Sequence, residues 1–550
     1  MSESRPPQSS IGARILLVLG SLLVSGLMLA AFEGALRVIG MGDPDASQAS
    51  RLKYQQIYLP VLAPGERADG TPIYHTIDSR LPYQWILRDK PANGLRVFTF
   101  GGSATAGLGF SPNVTFARDL ERMLERAHPD RHVEVVNLGI VALASRQVKY
   151  LVADACRRFE PDLVVVYSGN NEFLEEHARK YAEADAAWLS GVQEVAMNTN
   201  LYRLVNRAVR GPPQRPSLAE QDFSQDDLRL TQAEIIRKVE MSPAEIDSVL
   251  DDYEENLQEM VDAARAAGVP ILFSSVGSNW RYRGRSDLPA GWLDELVGEP
   301  GLEGPQAWDR AAELLEEKLE AAEPGERHEW LYKRAALAEL RGDWASARRD
   351  FRASMNEDPH LRRALDAGNE RVREVAQRNG AAFVDGVAVL AAAADHGIVG
   401  FGEFYDYVHF TPKGALVLAA RMFEALPETD AVPPPTGFDA DGYLDERLAW
   451  LASLEHDPLE LDDWLGVGFD VEQIHDRDLW KYDRLKRQLD ERIAEDPDDV
   501  RALVYRGNGA YFEISGGERA ERDYRAALEA GGDDPAIEAN LARLRAERRP

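Results

Sequence analysis

The segment FTFGGSATAGLGF, residues 98–110, joins an apolar, strand-like run to a glycine-rich turn, and the rest of the chain is interpreted from it. Aromatic residues and threonine favour a buried strand, and the Gly101-Gly102 pair that follows is typical of a tight turn. The turn leads directly to Ser103. Three roles are open for this hydroxyl: a nucleophile, a ligand for phosphate, or the polar cap of a buried strand.

Apolar strands alternate with amphipathic helical patterns on both sides of this segment. Strands are predicted at 96–100, 133–139, 161–173, 269–277 and 381–386, and helices at 115–128, 145–159, 251–268 and 362–380. This alternation predicts an α/β fold in which a parallel sheet has helices on both faces. We expect one such domain over 91–426, interrupted by a helical insertion at 284–366.

The N-terminal region contains an uncharged, mostly apolar run, residues 15–32, which follows Arg5 and Arg14. The run is long enough to approach the width of the hydrocarbon core of a bilayer. The residues after it do not fit a small-x-small cleavage site, so we expect a retained transmembrane helix rather than a removed signal peptide. The preceding arginines predict a cytoplasmic N-terminus and an extracytoplasmic catalytic domain. The predicted order is a cytoplasmic N-terminus at 1–14, an anchor at 15–40 and, at 41–90, a juxtamembrane linker together with an edge of the next domain.

Two further segments resemble tetratricopeptide repeats. Each carries small and aromatic residues at helical spacing on one face: Ala347, Phe351 and Ser354 in the insertion, and Ala520, Tyr524 and Ala527 near the C-terminus. The two could stack on each other, or each could pack as a hairpin on the α/β domain. We expect a Pro-rich linker at 427–440 and a C-terminal helical region at 441–550. A protein partner is one expected ligand of these helices.

Polar residues stand at the ends of the predicted strands. They are Gly102 and Ser103, Asn137 and Gly139, Asn170 and Asn171 with Glu172, and, after the last strand, Asp406 and His409. The carboxyl ends of parallel strands meet at one edge of a sheet, so these residues are expected to converge. Acyl transfer requires a nucleophilic hydroxyl, an imidazole base, a carboxylate and donors for an oxyanion. This set contains a candidate for every one of these roles.

The motifs GGSAT, NLGIVALASRQ, GNNEF and DYVH, in this order, resemble the blocks of the SGNH (GDSL-like) hydrolase family over roughly 94–175 and 250–426. The resemblance implies a flavodoxin-like, three-layer fold and a serine esterase. By it, Ser103 is the nucleophile, His409 the general base and Asp406 the carboxylate that orients the imidazole. The implied oxyanion hole and its neighbours are the N–H groups of Ser103 and Ala142 and the Asn171 amide, with Gly102, Gly139 and Asn170 nearby.

Two residues depart from the family pattern. Ala142 stands where the second block usually carries a glycine, and a backbone donor tolerates alanine there if its φ and ψ permit. Glu172 stands where the third block usually has aspartate. We expect Glu172 to be a structural acceptor rather than a catalytic group.

Competing interpretations of the opening segment lack the residues they need. A phosphate-binding P-loop requires a lysine, and the segment has none. A dinucleotide fingerprint starting at Gly107 would need a glycine at the position of Pro112. The G-x-S-x-G elbow of α/β-hydrolases is absent because Thr105 takes the place of its second glycine.

Composition narrows the ligands further. A formal net charge of −30, from 63 Lys+Arg and 93 Asp+Glu, disfavours nucleic-acid binding. The histidines lack the paired spacing of helical metal ligands, so we expect no metal and no cofactor. His177, which follows two glutamates, is expected to be a solvated helix residue.

The expected function is therefore a membrane-anchored esterase that acts on an acylated carbohydrate or cell-envelope substrate, with an O-acetyl group as the acyl group. The acyl and carbohydrate parts are implied by the family resemblance alone. Two alternatives are kept: an O-acyltransferase, and an interaction scaffold whose hydrolase domain is inactive or secondary.

Overall fold

A computed structural model of the chain describes residues 11–456 and 489–547, apart from 42–54, 109–114, 178–179, 181–198, 211–239, 283–291, 299–303, 361–362, 433–436, 491 and 512–516 and the single residues 40, 68, 79, 83, 324 and 430. The end of the opening segment lies outside the described residues. So do most of the predicted cytoplasmic N-terminus, the start of the insertion, and parts of the Pro-rich linker and the C-terminal region.

The strands are β1 (Leu62–Glu66), β2 (Pro72–Thr76), β3 (Trp85–Leu87), β4 (Gly94–Gly101), β5 (His132–Gly139), β6 (Leu163–Tyr167), β7 (Ile271–Ser274) and β8 (Ala382–Val384). The last five form a parallel sheet in the order β5-β4-β6-β7-β8. The predicted parallel α/β sheet is confirmed, and its strand order is that of flavodoxin-like proteins.

The helices are α1 (Ile11–Val38), α2 (Ser103–Ala106), α3 (Phe116–Ala127), α4 (Ser145–Arg158), α5 (Asn200–Arg210), α6 (Pro243–Ala266), α7 (Trp292–Val297), α8 (Gly304–Ala321), α9 (Arg327–Leu340), α10 (Trp344–Asn356), α11 (Asp366–Asn379), α12 (Gly386–Ala393), α13 (Pro412–Ala425), α14 (Ala440–His456), α15 (Val500–Tyr511), α16 (Gly517–Glu529) and α17 (Pro535–Glu547). Short 3₁₀ turns lie at Asp395–Gly397 and Leu426–Thr429.

Helices cover both faces of the parallel sheet. Leu95 and Val97 of β4 pack with α3, α12 and α13 on one face. Phe98 and Phe100 pack with α4, α6 and α11 on the other face. All residues of β4 are buried, because alternate side chains enter the two cores. This explains why the strand reads as an almost continuous apolar run.

The segment 41–90, predicted as a juxtamembrane linker with an edge of the next domain, contains three strands, so the linker part of the prediction is too long. Strands β1, β2 and β3 form an antiparallel sheet there. Gln84 joins it to β5 by two hydrogen bonds with the backbone of Asn137, at 2.8 and 2.7 Å. The strands were missed because they are short and because Pro64 and Gly65 interrupt the pattern of alternation on which strand prediction depends.

The insertion contains α7 to α10. Ala347, Phe351 and Ser354 are buried, as their helical spacing predicts. Ala347 and Phe351 belong to the same core as Trp280 and Ile398 of the α/β domain, so this hairpin packs on the domain. The C-terminal helices α15 to α17 bury Ala520, Tyr524 and Ala527 in a separate core. Assignment of either region to the tetratricopeptide class stays a prediction.

The boundary predicted at 426 is too early. Tyr443 and Leu444 of α14 are buried in the core formed with α13, so α14 belongs to the α/β domain and not to the C-terminal helical region. Prolines after Leu426 favoured a linker. However, Val432, which lies between α13 and α14 in the sequence, is buried in the same core as both helices.

Helix α1 is long and apolar enough to cross a membrane. Its stretch Leu19–Val38 has a mean hydropathy of 1.7 and is almost entirely uncovered by the rest of the protein. Leu23 and Met28 are 66% and 69% exposed, for example. Length and composition alone are also compatible with a signal sequence.

Candidate active site

Ser103 is the first residue of α2, directly after the turn that ends β4. Glycine is required at position 102, since a Cβ there would lie 2.5 Å from Asn171 Nδ2 and 3.0 Å from the Leu143 carbonyl oxygen. The turn therefore brings the Ser103 segment against the loops that follow β5 and β6. The Ser103 side chain is buried at this junction, with only 7% of the residue exposed.

Three side chains form a continuous hydrogen-bonded chain at this edge of the sheet. His409 Nε2 lies 2.7 Å from Ser103 Oγ, and His409 Nδ1 lies 2.6 Å from Asp406 Oδ2. A carboxylate can only accept, so the hydrogen of the neutral imidazole is assigned to Nδ1. Nε2 is then left as the acceptor for the Ser103 hydroxyl. The structure thus brings Ser103 together with the Asp406 and His409 pair, which lies more than three hundred positions further along the sequence.

The loop that carries Asp406 is held in place by backbone hydrogen bonds. Asp406 Oδ1 accepts from the backbone N–H groups of Val408 and His409, at 3.0 and 2.8 Å. Burial of the carboxylate opposes ionisation, but the hydrogen bonds from the His409 side chain and from the backbone N–H groups of His409 and Val408 outweigh it and hold the pKa of Asp406 below its ordinary value. The carboxylate is therefore ionised at neutral pH and fixed in orientation.

Two tyrosines flank the imidazole. Tyr405 stacks on the His409 ring with 5.7 Å between ring centroids, and Tyr407 meets it edge-on at 5.8 Å. The Tyr405 hydroxyl donates to the Leu108 carbonyl oxygen at 2.9 Å, which links the histidine loop to the chain just after Ser103. These contacts restrict rotation of the imidazole away from the serine.

Candidate oxyanion donors surround the same point. The Ser103 N–H, at the start of α2, has no intrahelical acceptor. Asn171 Nδ2 donates one hydrogen bond to the Leu143 carbonyl oxygen at 2.9 Å, and an amide nitrogen carries two hydrogens. Ala142 has a φ of +65°, the left-handed conformation that glycine adopts readily and alanine does not. The loop thus keeps a glycine-like conformation where the family pattern has glycine.

The residues expected nearby have packing roles. A Cβ on Gly139 would collide with the backbone of α2, so this glycine permits close approach of β5 and the serine helix. The Gly139 N–H is already bound to Asn137 Oδ1 at 2.9 Å. Asn170 Oδ1 accepts from the Ala364 N–H at 3.1 Å, where the chain returns from the insertion.

Glu172 lies beside the site and caps a helix. Its carboxylate accepts from the backbone N–H of Ser145 at 3.1 Å and from the Ser145 hydroxyl at 2.6 Å, at the N-terminus of α4. Asn256 Nδ2 donates to the same hydroxyl at 3.0 Å. Burial raises the pKa of Glu172 to about 7, although the Ser145 hydrogen bonds act in the opposite direction. The expectation of a structural acceptor agrees with these contacts.

Several supporting residues were not identified from the sequence. Gln55, fully buried, donates to the Ala142 carbonyl oxygen at 2.7 Å and so fixes the candidate oxyanion loop from the segment taken for a linker. Asn279 Nδ2 donates to the Asp406 carbonyl oxygen at 3.0 Å. Arg363, at the end of the insertion, donates to the carbonyl oxygens of Asn279 and Tyr282. No motif marks these residues, because each acts through a backbone carbonyl far away in sequence.

The expectation that His177 is solvated is wrong. Its side chain is buried, and Nδ1 lies 2.7 Å from the Phe173 carbonyl oxygen. Burial lowers the pKa of His177, which favours the neutral ring. The two preceding glutamates suggested a solvent-facing turn, but the ring points inward from the same turn.

No family model matches the chain, and no curated protein matches it. Similar solved structures include an acetyl xylan esterase, AlAXEase, at 12% identity and a TM-score of 0.28, over 60% of this chain and 100% of that chain. A GDSL-like lipase from Parabacteroides merdae ATCC 43184 has 11% identity and a TM-score of 0.29, over 62% and 99%. A catalytic mutant of Axe2, an acetylxylan esterase from Geobacillus stearothermophilus, has 13% identity and a TM-score of 0.30, over 64% and 98%.

Proposed function

We propose that this chain is a membrane-anchored serine esterase of the SGNH type. The observation that carries the proposal is the unbroken chain from Ser103 Oγ through the His409 imidazole to the Asp406 carboxylate, with distances of 2.7 and 2.6 Å. A buried serine that only caps a strand does not need an oriented imidazole and a fixed carboxylate behind it. Nucleophilic catalysis requires both.

In the first half-reaction, Ser103 Oγ attacks the carbonyl carbon of the ester while His409 Nε2 removes its proton. The Asp406 carboxylate keeps the Nδ1 hydrogen in place and stabilises the imidazolium that forms. The tetrahedral intermediate collapses when the C–O bond to the alcohol breaks and His409 returns its proton to the leaving oxygen. The acyl group then remains on Ser103 as an ester.

The negative oxygen of the intermediate would be stabilised by three N–H donors: the backbone groups of Ser103 and Ala142 and the Asn171 side chain. Their segments converge on Gly102, where the Asn171 amide and the Leu143 carbonyl make close approach. Preorganised donors of this kind lower the barrier because they need no reorientation as charge develops. Gln55 holds the loop at the Ala142 carbonyl oxygen, and Glu172 holds it at the Ser145 N–H.

In the second half-reaction, His409 activates a water molecule that attacks the acyl-serine, releasing the acid and regenerating the hydroxyl. If an acceptor alcohol takes the place of water, the same residues perform acyl transfer. We propose hydrolysis of an O-acetyl ester on a carbohydrate or cell-envelope polymer. The motif resemblance supports the acyl group, and the net charge of −30 favours neutral over polyanionic substrates.

We further propose that α1 is a retained anchor and that the catalytic domain lies on the periplasmic or outer side. The exposed apolar side chains of α1 support a lipid environment, since a water-exposed surface of this size is unusual for a soluble domain. Arg5 and Arg14 precede the span and support a cytoplasmic N-terminus.

The test is hydrolysis of a chromogenic acetate ester by the full chain in detergent. Ser103→Ala is expected to lose at least about 10³-fold in kcat/KM, because the nucleophile is removed. Ser248→Ala, an exposed serine on α6, is the matched control and is expected to keep full activity. Equal activity of Ser103→Ala and the control would overturn the proposal. Faster product formation with an added sugar acceptor would assign acyl transfer instead.

A further inference from the structure

Helix α5, Asn200–Arg210, is strongly amphipathic. Leu201, Leu204, Val205 and Ala208 follow the spacing that places residues on one side of a helix. The intervening positions carry Tyr202, Arg203, Asn206 and Arg207. This helix contributes no residue to the catalytic chain, so the proposed reaction does not explain it.

The start of α5 is fastened to the end of α1. The Glu33 carboxylate accepts from the backbone N–H groups of Asn200 and Leu201, at 2.8 and 3.1 Å. Asn200 Nδ2 donates to the Met41 carbonyl oxygen at 3.1 Å. The first N–H groups of a helix lack intrahelical partners and carry partial positive charge, so a carboxylate there is a favourable cap. This contact fixes α5 at the level where the chain leaves α1.

An apolar part of α5 remains uncovered. Val205 is 53% exposed and Tyr202 is 38% exposed. On α1 the neighbouring apolar side chains are also exposed, with Phe32 at 52% and Val38 at 87%. Exposed apolar side chains therefore lie both on α5 and on the end of α1 to which α5 is hydrogen-bonded, the helix that we place in the bilayer.

We propose that α5 lies in the membrane–water interface on the extracytoplasmic side and, with α1, forms a two-helix membrane attachment. The inference rests on the proposed membrane anchor. A helix with a broad apolar stripe and a basic polar side binds at this depth, with the stripe toward the acyl chains and arginine near the headgroups. Tyrosine is also favoured at the interface, where its ring and hydroxyl meet different surroundings.

The position of α5 limits how the catalytic domain can move relative to the membrane. One spanning helix allows the catalytic domain to rotate about the membrane normal and to tilt away from the surface. A second, interfacial helix capped by Glu33 limits the tilt. The attachment therefore holds the catalytic domain close to the membrane surface, where cell-envelope substrates are found.

The experiment uses the full chain with Cys156, its one cysteine, replaced by alanine. Single cysteines are introduced as Val205→Cys on α5, Leu23→Cys on α1 and Ser248→Cys on α6, and each is labelled with an environment-sensitive fluorophore. The proteins are reconstituted into vesicles of equal parts phosphatidylcholine and phosphatidylglycerol. Quenching is measured with a lipid spin-labelled near the top of its acyl chain and, separately, with aqueous iodide.

The proposal predicts several-fold stronger lipid quenching at Val205 than at Ser248, and several-fold weaker iodide quenching. If Leu23 is quenched by lipid while Val205 behaves like Ser248, the interfacial role of α5 is wrong and the anchor stands. If Leu23 also behaves like Ser248, both the anchor and this inference are wrong. Protection of Val205 from both quenchers would show a protein surface covering α5 and would also overturn the proposal. None of these quenching readouts depends on Ser103, so failure of the membrane attachment can be distinguished from failure of the proposed esterase activity.

Discussion

The two ends of strand β4 both bury charged or polar side chains, and they use them differently. At the amino end, Arg96 is 1% exposed, and its guanidinium donates to Glu134 at 2.7 Å and to the carbonyl oxygens of Leu87 and Phe159, each at 2.7 Å. Glu134 in turn accepts from the Leu87 N–H. At the carboxyl end, Ser103 and His409 are hydrogen-bonded in a line that ends at Asp406.

The difference lies in what is left over after the protein's own hydrogen bonds are made. Around Arg96, each guanidinium nitrogen has an acceptor in the protein, so the cluster joins strands and loops and offers nothing to a ligand. Around Ser103, the serine N–H and one Asn171 hydrogen are not used within the helix or loop that carries them. Buried polarity at the amino end is structural, whereas at the carboxyl end it leaves hydrogen-bond donors unused, as the proposed mechanism requires.

The largest expected effect is on catalysis at the carboxyl end. Asp406→Asn should lower kcat by about 10⁴-fold, because the neutral amide no longer holds the reactive imidazole tautomer. The thermal unfolding midpoint should change little by comparison. Both are measured on the full chain, by ester hydrolysis and by differential scanning calorimetry. Retained activity in Asp406→Asn would remove the carboxylate from the mechanism.

The second prediction concerns the amino end of β4, where a substitution should lower stability and leave kcat unchanged. Arg96→Met should destabilise the domain by about 3–5 kcal/mol, because it leaves the Glu134 carboxylate buried without its cation. The folded fraction should keep its kcat. Denaturant unfolding measures the loss, and the double variant Arg96→Met/Glu134→Leu should recover much of it. A fall in kcat of the folded protein would mean that the two ends are not separable.

The third prediction tests the spare donor of Asn171. Asn171→Ala should lower kcat by about 10²–10³-fold with little change in KM, since the amide is expected to bind the oxyanion and not the ground-state ester. Asn170→Ala is the matched neighbour: its Nδ2 is also buried without a protein acceptor and its oxygen is bound to the Ala364 N–H, but its effect on kcat should be smaller because the motif resemblance gives the oxyanion role to Asn171. Similar losses of kcat in both variants would contradict the assignment of Asn171 as the oxyanion donor.

The fourth prediction follows from the raised pKa of Glu172. Its pKa rises from an ordinary 4.5 to about 7 in the folded protein, so the native state binds this proton more tightly than the unfolded state. Stability should therefore decline as pH increases from about 4.5 to about 7. Glu172→Gln keeps an acceptor for Ser145 and should remove that decline. The unfolding midpoint of this variant, relative to that of the wild type, should therefore rise as pH increases from about 4.5 to about 7.

Glu538→Gln, an exposed position on α17, is the control for this pH experiment. Its unfolding midpoint should follow that of the wild type throughout. Parallel pH profiles for Glu172→Gln and wild type would show that Glu172 does not bind its proton more tightly on folding.

The smallest expected effect is at Ala142. Ala142→Gly relieves a left-handed conformation that costs alanine roughly 1–2 kcal/mol, against roughly 0.5–1 kcal/mol for the added freedom of glycine in the unfolded chain. A net stabilisation of about 1 kcal/mol or less should follow, with kcat nearly unchanged. Urea unfolding measures it. Strong destabilisation would show that the alanine methyl group has a packing role.

The sequence was sufficient for the parallel sheet because β4, β6 and β7 are long or continuous apolar runs between amphipathic helices. It was also sufficient to nominate Ser103, His409 and Asp406, since the strand ends of a parallel sheet share one edge. Their catalytic roles stay predictions. The β1–β3 sheet could not be predicted, because short strands with proline and glycine carry too little alternation. The Arg96–Glu134 pair was missed for another reason: a charge in a strand reveals its partner only after the register is known.

Helix α14 and His177 were assigned wrongly because local composition conflicted with tertiary packing. Prolines suggested a linker before α14, and acidic neighbours suggested solvent around His177. In both cases burial is decided by tertiary packing and not by local composition: α14 packs in the core formed with α13, and the His177 ring turns inward, with Nδ1 near the Phe173 carbonyl oxygen. The contacts of Gln55, Asn279 and Arg363 with backbone carbonyls are invisible to sequence patterns for the same reason.

Covalent modification by a fluorophosphonate tests the central claim most directly, because the reagent reacts with a serine that is activated as a nucleophile. The full chain is treated in detergent, digested and mapped by mass spectrometry. We expect one adduct, on Ser103, that forms much more slowly in His409→Gln and at the wild-type rate in Ser248→Ala. A folded protein with no adduct on Ser103, or with modification of another serine instead, would contradict it.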